Sequence, residues 1–158
     1  MFYTILITLH SILRWLVVIA AVYALLRTLL GWLGRKEWQA ADDKAGMFFG
    51  GMMDLQVLVG LLLYFLASPI TLAALQNFGG AMSNGTARFF AVEHVLMMII
   101  AMVLSHVGRA QSKKANGSAG KFKRAFVWYA LAVLFLLVAI PWPFSAIARP
   151  WLRLGTLF

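Results

Sequence analysis

Apolar positions along the chain form long runs separated by short polar segments. The runs cover residues 2–33, 47–75, 87–109 and 126–140. Crossing a hydrocarbon core takes about 20 apolar residues in a helix, and the four runs predict four spans. The first is long enough to tilt or to extend beyond the core. The second holds "SPI" at 68–70, where proline kinks or ends the helix. The fourth ends at "PWPF". A terminal piece, "SAIARPWLRLGTLF", is too short and too basic to span. It predicts an interfacial segment anchored by Arg149, Trp151 and Arg153. The expected fold class is all-α: one integral membrane four-helix bundle over residues 1–158, with a short interfacial C-terminal segment.

Composition agrees with the pattern. Of 158 residues, 63% are hydrophobic, and the mean hydropathy is +0.86. A soluble domain of this length could not cover so much apolar surface. The formal charge of +9 would suit nucleic acid if it were spread over one face. The basic residues instead gather between the apolar runs, so the expected partner is the lipid bilayer, with no nucleic acid. The chain contains no cysteine, which excludes disulfides, iron–sulfur clusters and thiolate chemistry. The first apolar run starts at Met1 without a basic stretch before it, predicting a retained helix rather than a cleaved signal peptide.

The loops set an orientation. The connection after the first span holds Arg35, Lys36 and Lys44. The connection after the third holds Arg109, Lys113, Lys114, Lys121, Lys123 and Arg124, around the polar, flexible-looking "SKKANGSAGK". The second connection, "QNFGGAMSNGTAR", offers only Arg88. The positive-inside rule places the first and third connections in the cytoplasm and both termini outside. The expected location is a bacterial inner membrane, crossed several times.

Ionisable groups inside spans are the candidate chemistry, because hydrocarbon penalises them. With this topology His10 lies roughly 10–12 Å along the first helix, and His94 about 12 Å along the third, at about 1.5 Å per residue. Two histidines on different helices at one depth suit the two axial positions of a haem iron. Arg14 follows His10 on the same helical face and could pair with Glu93 or with a haem propionate. Trp15, Phe89 and Phe90 could pack beside a porphyrin. Towards the inner side, Asp54 and His106 could form a proton-accessible pair or a polar latch, with Gln56 bonding to either. Glu93 is a candidate proton relay, although it faces about 100° away from its neighbour His94. His94 and His106 are twelve residues apart, or about 120° around an ideal helix, which favours one outer haem over two stacked ones. The methionine runs read as packing. Gly46 and Gly50 give a small-residue spacing suited to close helix contact. Phosphate loops, nucleophile triads and HExxH motifs do not occur.

The segments "LHSILRWLV" (9–17), "VGLLLYF" (59–65), "ARFFAVEHVLMMIIAMVLSHVGR" (87–109) and "IPWPF" (140–144) together resemble short bacterial four-helix membrane proteins labelled "cytochrome b-like". The resemblance runs through nearly the whole chain, with the third-span segment its most specific part. It implies a membrane cytochrome, or an accessory subunit of an electron-transfer complex, with His10 and His94 as axial ligands of haem b and His106 as a further candidate. The leading expectation is therefore one outer-leaflet b-type haem, with Arg14 offsetting propionate charge and Glu93 relaying protons to a quinone. The other members of a respiratory or photosynthetic complex would be its protein partners. A cofactor-free accessory subunit is the competing expectation. A small transporter or proton channel using Asp54, Glu93 and His106 comes third, without the broken-helix pair such proteins use.

Overall fold

The computed structural model describes residues 1–153. The expected interfacial segment is thus seen only as far as Arg153, and residues 154–158 of it lie outside the described residues. The described chain is helical, with no strand. Four stretches are long and apolar enough to cross a membrane: Phe2–Leu33, Ala40–Ala67, Gly85–Lys113 and Gly117–Ala139.

Helix α1 (Phe2–Leu33) is uninterrupted. Helix α2 (Ala40–Leu62) begins upstream of the apolar run that predicted it. The Asp42 carboxylate accepts from the Gln39 backbone N–H at 2.7 Å, and Asp42 and Asp43 place negative charge in the first turn, where the helix dipole favours it. The second span does not run on to residue 75. It closes in a π-helical turn, Leu63–Ala67, and breaks at Ser68, whose backbone is extended as a residue before proline must be. The Ser68 hydroxyl then accepts from Thr71 N–H, with Pro69 in the first turn of α3 (Pro69–Gln76).

Two more short helices, α4 (Phe78–Ser83) and α5 (Gly85–Arg88), fill the second connection, and Asn77 and Asn84 cap them with side-chain oxygens. Helix α5 passes through a second π-helical turn, Phe89–Glu93, into α6 (His94–Lys113). Helix α7 (Gly117–Ala139) starts well before its apolar run. The third connection is consequently only residues 114–116, and Lys121, Lys123 and Arg124 ride on the first turns of α7. Long basic side chains let a helix project past the hydrocarbon while their charges stay wet.

Each long helix packs on two others in the cyclic order α1–α2–α6–α7, so α1 and α6 face each other across the bundle. Small residues permit close approach: Ala20, Ala21 and Ala24 of α1 are fully buried. Tyr129 of α7 is a central wedge. Its ring meets Phe49 edge-on and occupies the space that side chains at Gly46 of α2 and Gly108 of α6 would take. At the end of the bundle where α2 begins, Arg27 bonds Asp42 at 2.6 Å, and Arg109 grips Asp43 with two nitrogens at 3.1 and 2.8 Å. These ion pairs tie α1 and α6 to the start of α2.

Candidate functional site

Both π turns leave a carbonyl outside the regular helical ladder, because the wider turn shifts the bonding register. A side-chain hydroxyl serves each turn. Tyr64, in the first, donates to the Ala91 carbonyl in the second at 2.8 Å. Thr71 donates to the Tyr64 carbonyl at 2.8 Å. The second π turn ends directly at His94 and so sets the direction in which that imidazole leaves its helix.

His94 points into the bundle from α6. Its Nδ1 lies 2.8 Å from the carbonyl oxygen of Ala139, the last residue of α7. A carbonyl only accepts, so Nδ1 carries the hydrogen, and Nε2 of a neutral ring keeps its lone pair. The contact also satisfies one of the carbonyls that a helix C-terminus leaves without an N–H. Phe89 and Phe90 flank the ring at 5.7 and 5.9 Å between centroids.

His10 points inward from α1, across the diagonal. The two imidazole centroids are 6.3 Å apart with their planes at 70°, within the range of an edge-to-face pair. Gly60 of α2 makes room for His10: a Cβ there would lie 3.3 Å from the imidazole Cε1. Gln56, one helical turn earlier and buried, places its amide nitrogen 3.2 Å from both His10 Nε2 and the His10 carbonyl oxygen. Gln56 therefore bonds to neither Asp54 nor His106, as the sequence suggested it could. Two residues along a helix turn by about 200°, which sends Asp54 and Gln56 to opposite faces.

His10, His94, Arg14, Gln56 and Tyr64 line one cavity of about 150 Å³. Three buried polar atoms around it make no hydrogen bond among the described residues: His10 Nδ1, Arg14 Nε and Gln56 Oε1. Orphaned buried polar groups cost roughly 1–3 kcal/mol each, and their convergence marks a place where a ligand or water can repay that cost. The cavity is also positively lined. Arg14, Arg149 and Arg153 border it, and among the described residues no carboxylate side chain does.

The segment after α7 closes the mouth of the cavity. Arg14 donates to the carbonyls of Pro150 and Trp151, Trp15 donates to the Trp151 carbonyl at 2.8 Å, and the Arg153 N–H donates to the Ser11 hydroxyl at 2.9 Å. Arg149 and Arg153, expected as interfacial anchors, lie over the rings of Phe90 and Tyr3 at the cavity rim. Trp15 packs against Trp142 and Trp151. The suggested Arg14–Glu93 pair does not form: Glu93 accepts from Arg88 at 2.8 Å on the exposed side of its turn.

Asp54 and His106 do meet, between α2 and α6, with His106 Nε2 2.8 Å from Asp54 Oδ1. Both are half-exposed and lie apart from the cavity. Sequence reasoning missed Tyr64, Gly60 and the C-terminal arginines as parts of the His10–His94 site. Only the glycine carried a usable signal, at a one-turn spacing from Gln56.

No protein family, curated protein or solved structure matches the chain.

Proposed function

We propose that this is a b-type cytochrome-like electron-transfer protein of the bacterial inner membrane, holding one haem near the outer leaflet between His10 and His94. The observation carrying the reading is the convergence of two inward-pointing imidazoles from diagonally opposed helices on a cavity with three unpartnered polar atoms. Haem, when bound, would supply a one-electron ferric/ferrous couple in a low-dielectric setting. His94 suits ligation, because its Nδ1–H bond to Ala139 fixes the tautomer that presents Nε2, as metal-bound histidines usually require. His10 would have to exchange its Gln56 contact for the metal. Arg14, Arg149 and Arg153 would balance carboxylate charge, and Phe89 and Phe90 would exclude water.

The cavity is of the size that holds a benzene-sized molecule, about 150 Å³. Porphyrin is larger, so the reading requires the side chains lining the cavity to make room on loading. A cofactor-free accessory subunit is the second reading. It is favoured by one specific observation: both imidazoles already bond within the protein, His94 to Ala139 and His10 to Gln56. The test is a reduced-minus-oxidised spectrum of detergent-purified protein. A Soret band and b-type α-band, lost in His94→Ala, support the haem reading. Protein that purifies folded without these bands, even when expressed with added haem precursor, supports the accessory-subunit reading.

A further inference from the structure

The Asp54–His106 pair sits on the outer surface of the bundle, and each side chain is 51% exposed. Both residues lie within stretches that can cross the membrane. Side chains on a helix lean towards its N-terminus, so Asp54 reaches towards the inner surface and His106 reaches away from it, and the two meet at an intermediate depth. Hydrocarbon offers no hydrogen bonds and disfavours net charge. The form it tolerates is the net-neutral pair with one proton shared between the Asp54 carboxylate and His106 Nε2. Wherever that proton rests, the outcome at the surface is the same. One acceptor, Asp54 Oδ2, and one donor, His106 Nδ1–H, remain after the internal bond is made.

The same face is shaped for a helix. Leu96, Ile99 and Val103 of α6 are exposed at 54%, 36% and 49%, and with His106 they form a seam with the alternating three- and four-residue spacing of left-handed helix packing. On α2, Gly51 precedes Asp54 by three residues, on the same side. A Cβ built there meets nothing within 4 Å. A glycine with open space above it, beside a polar pair, lets another backbone approach closely.

We infer that this face binds a second copy of the chain, related by a two-fold axis along the membrane normal. Such an axis preserves depth, so each pair meets its own counterpart. Asp54 Oδ2 of one protomer accepts from Nδ1–H of the partner subunit's His106, and the reverse contact forms by symmetry. One leftover donor and one leftover acceptor per chain are what a two-fold interface needs, and neither remains unsatisfied. A membrane quinone headgroup could answer the same two groups. The seam and the open Gly51 favour a helix over a flat ring, and the inference stands independently of any haem.

The chain contains no cysteine, so Gly51→Cys creates a single thiol for oxidative cross-linking in native membranes. The expected result is a disulfide-linked homodimer from Gly51→Cys, and little from Leu134→Cys on α7. In the Gly51→Cys background, Asp54→Ala or His106→Ala should lower cross-linking several-fold. Co-expressing these two variants with different tags should give mixed dimers at more than the twofold excess over either homodimer that random pairing gives, because one of the two intersubunit bonds survives only in the mixed pair. Absence of a homodimer from Gly51→Cys alone, which alters neither polar residue, overturns the inference. So does cross-linking that ignores Asp54 and His106. Cross-linking that rises when quinone is extracted and falls on adding a short-chain quinone assigns the face to the quinone instead.

Discussion

The Tyr64 hydroxyl donates to the Ala91 carbonyl at 2.8 Å and joins the two π-helical turns of the bundle. The bond matters because Ala91 lies in the turn that leads into His94. Tyr64→Phe keeps the ring, including its edge contact with Phe65, and removes only the hydroxyl. The variant should lose about 1–3 kcal/mol, the cost of an unpaired carbonyl in an apolar setting. Unfolding in mixed detergent micelles measures the loss. An unchanged midpoint would mean that the Ala91 carbonyl does not depend on Tyr64.

The Tyr129 wedge gives a sharper pair of substitutions. A methyl at Gly46 would run into the tyrosine hydroxyl, whereas a methyl at Gly108 would lie 2.6 Å from the ring carbon Cε1. Overpacking of this kind costs about 1–3 kcal/mol. Tyr129→Phe removes the hydroxyl and leaves the ring. It should therefore restore much of the stability lost by Gly46→Ala and little of that lost by Gly108→Ala. Equal rescue of both would contradict this packing.

Hydropathy made the four long helices legible, because a helix apolar enough to cross a membrane leaves a continuous apolar record in the sequence. It also led to the expectation that His10 and His94 lie at one level, and the two rings lie 6.3 Å apart in the bundle. Helix ends were less legible. Ala40 and Gly117 begin their helices in polar sequence, since the backbone hydrogen bonds of a helix continue beyond its apolar run while the side chains turn hydrophilic. The π turns left no periodic trace, being five-residue departures within apolar runs. The return of the C-terminal segment over Ser11, Arg14 and Trp15 depends on backbone carbonyls, which every residue carries and no pattern reveals.

Orientation can be tested without disturbing the core. Residues 84 and 114 are exposed and lie at opposite ends of the third long helical stretch. The charge distribution around Lys36 and Lys114 predicts that residue 114 faces the cytoplasm and residue 84 the outside. With no native cysteine, Asn84→Cys and Lys114→Cys each give one reporter. An impermeant thiol reagent on intact cells should label residue 84 and reach residue 114 only after lysis. The reverse pattern would invert the bundle and move the His10–His94 cavity to the inner leaflet.

The haem reading is most exposed to a substitution that removes no ligand. Gly60 faces His10 so closely that a Cβ would lie 3.3 Å from its Cε1. A single methyl can be absorbed by a shift of a few tenths of an ångström, but a leucine cannot. Gly60→Leu should drive the imidazole from its position and abolish the b-type spectrum, much as His10→Ala and His94→Ala should, because axial ligation controls both retention and spin state. Gly60→Ala should retain the spectrum. His106→Ala and Asp54→Asn should also leave it intact, since neither residue lines the cavity. A spectrum that survives Gly60→Leu and His10→Ala but disappears with His106→Ala would move the ligand set to the inner pair. Purified wild type lacking any haem band would leave His94 as the cap of α7. His94→Ala would then cost about 0.6–2 kcal/mol of helix association and no optical signal.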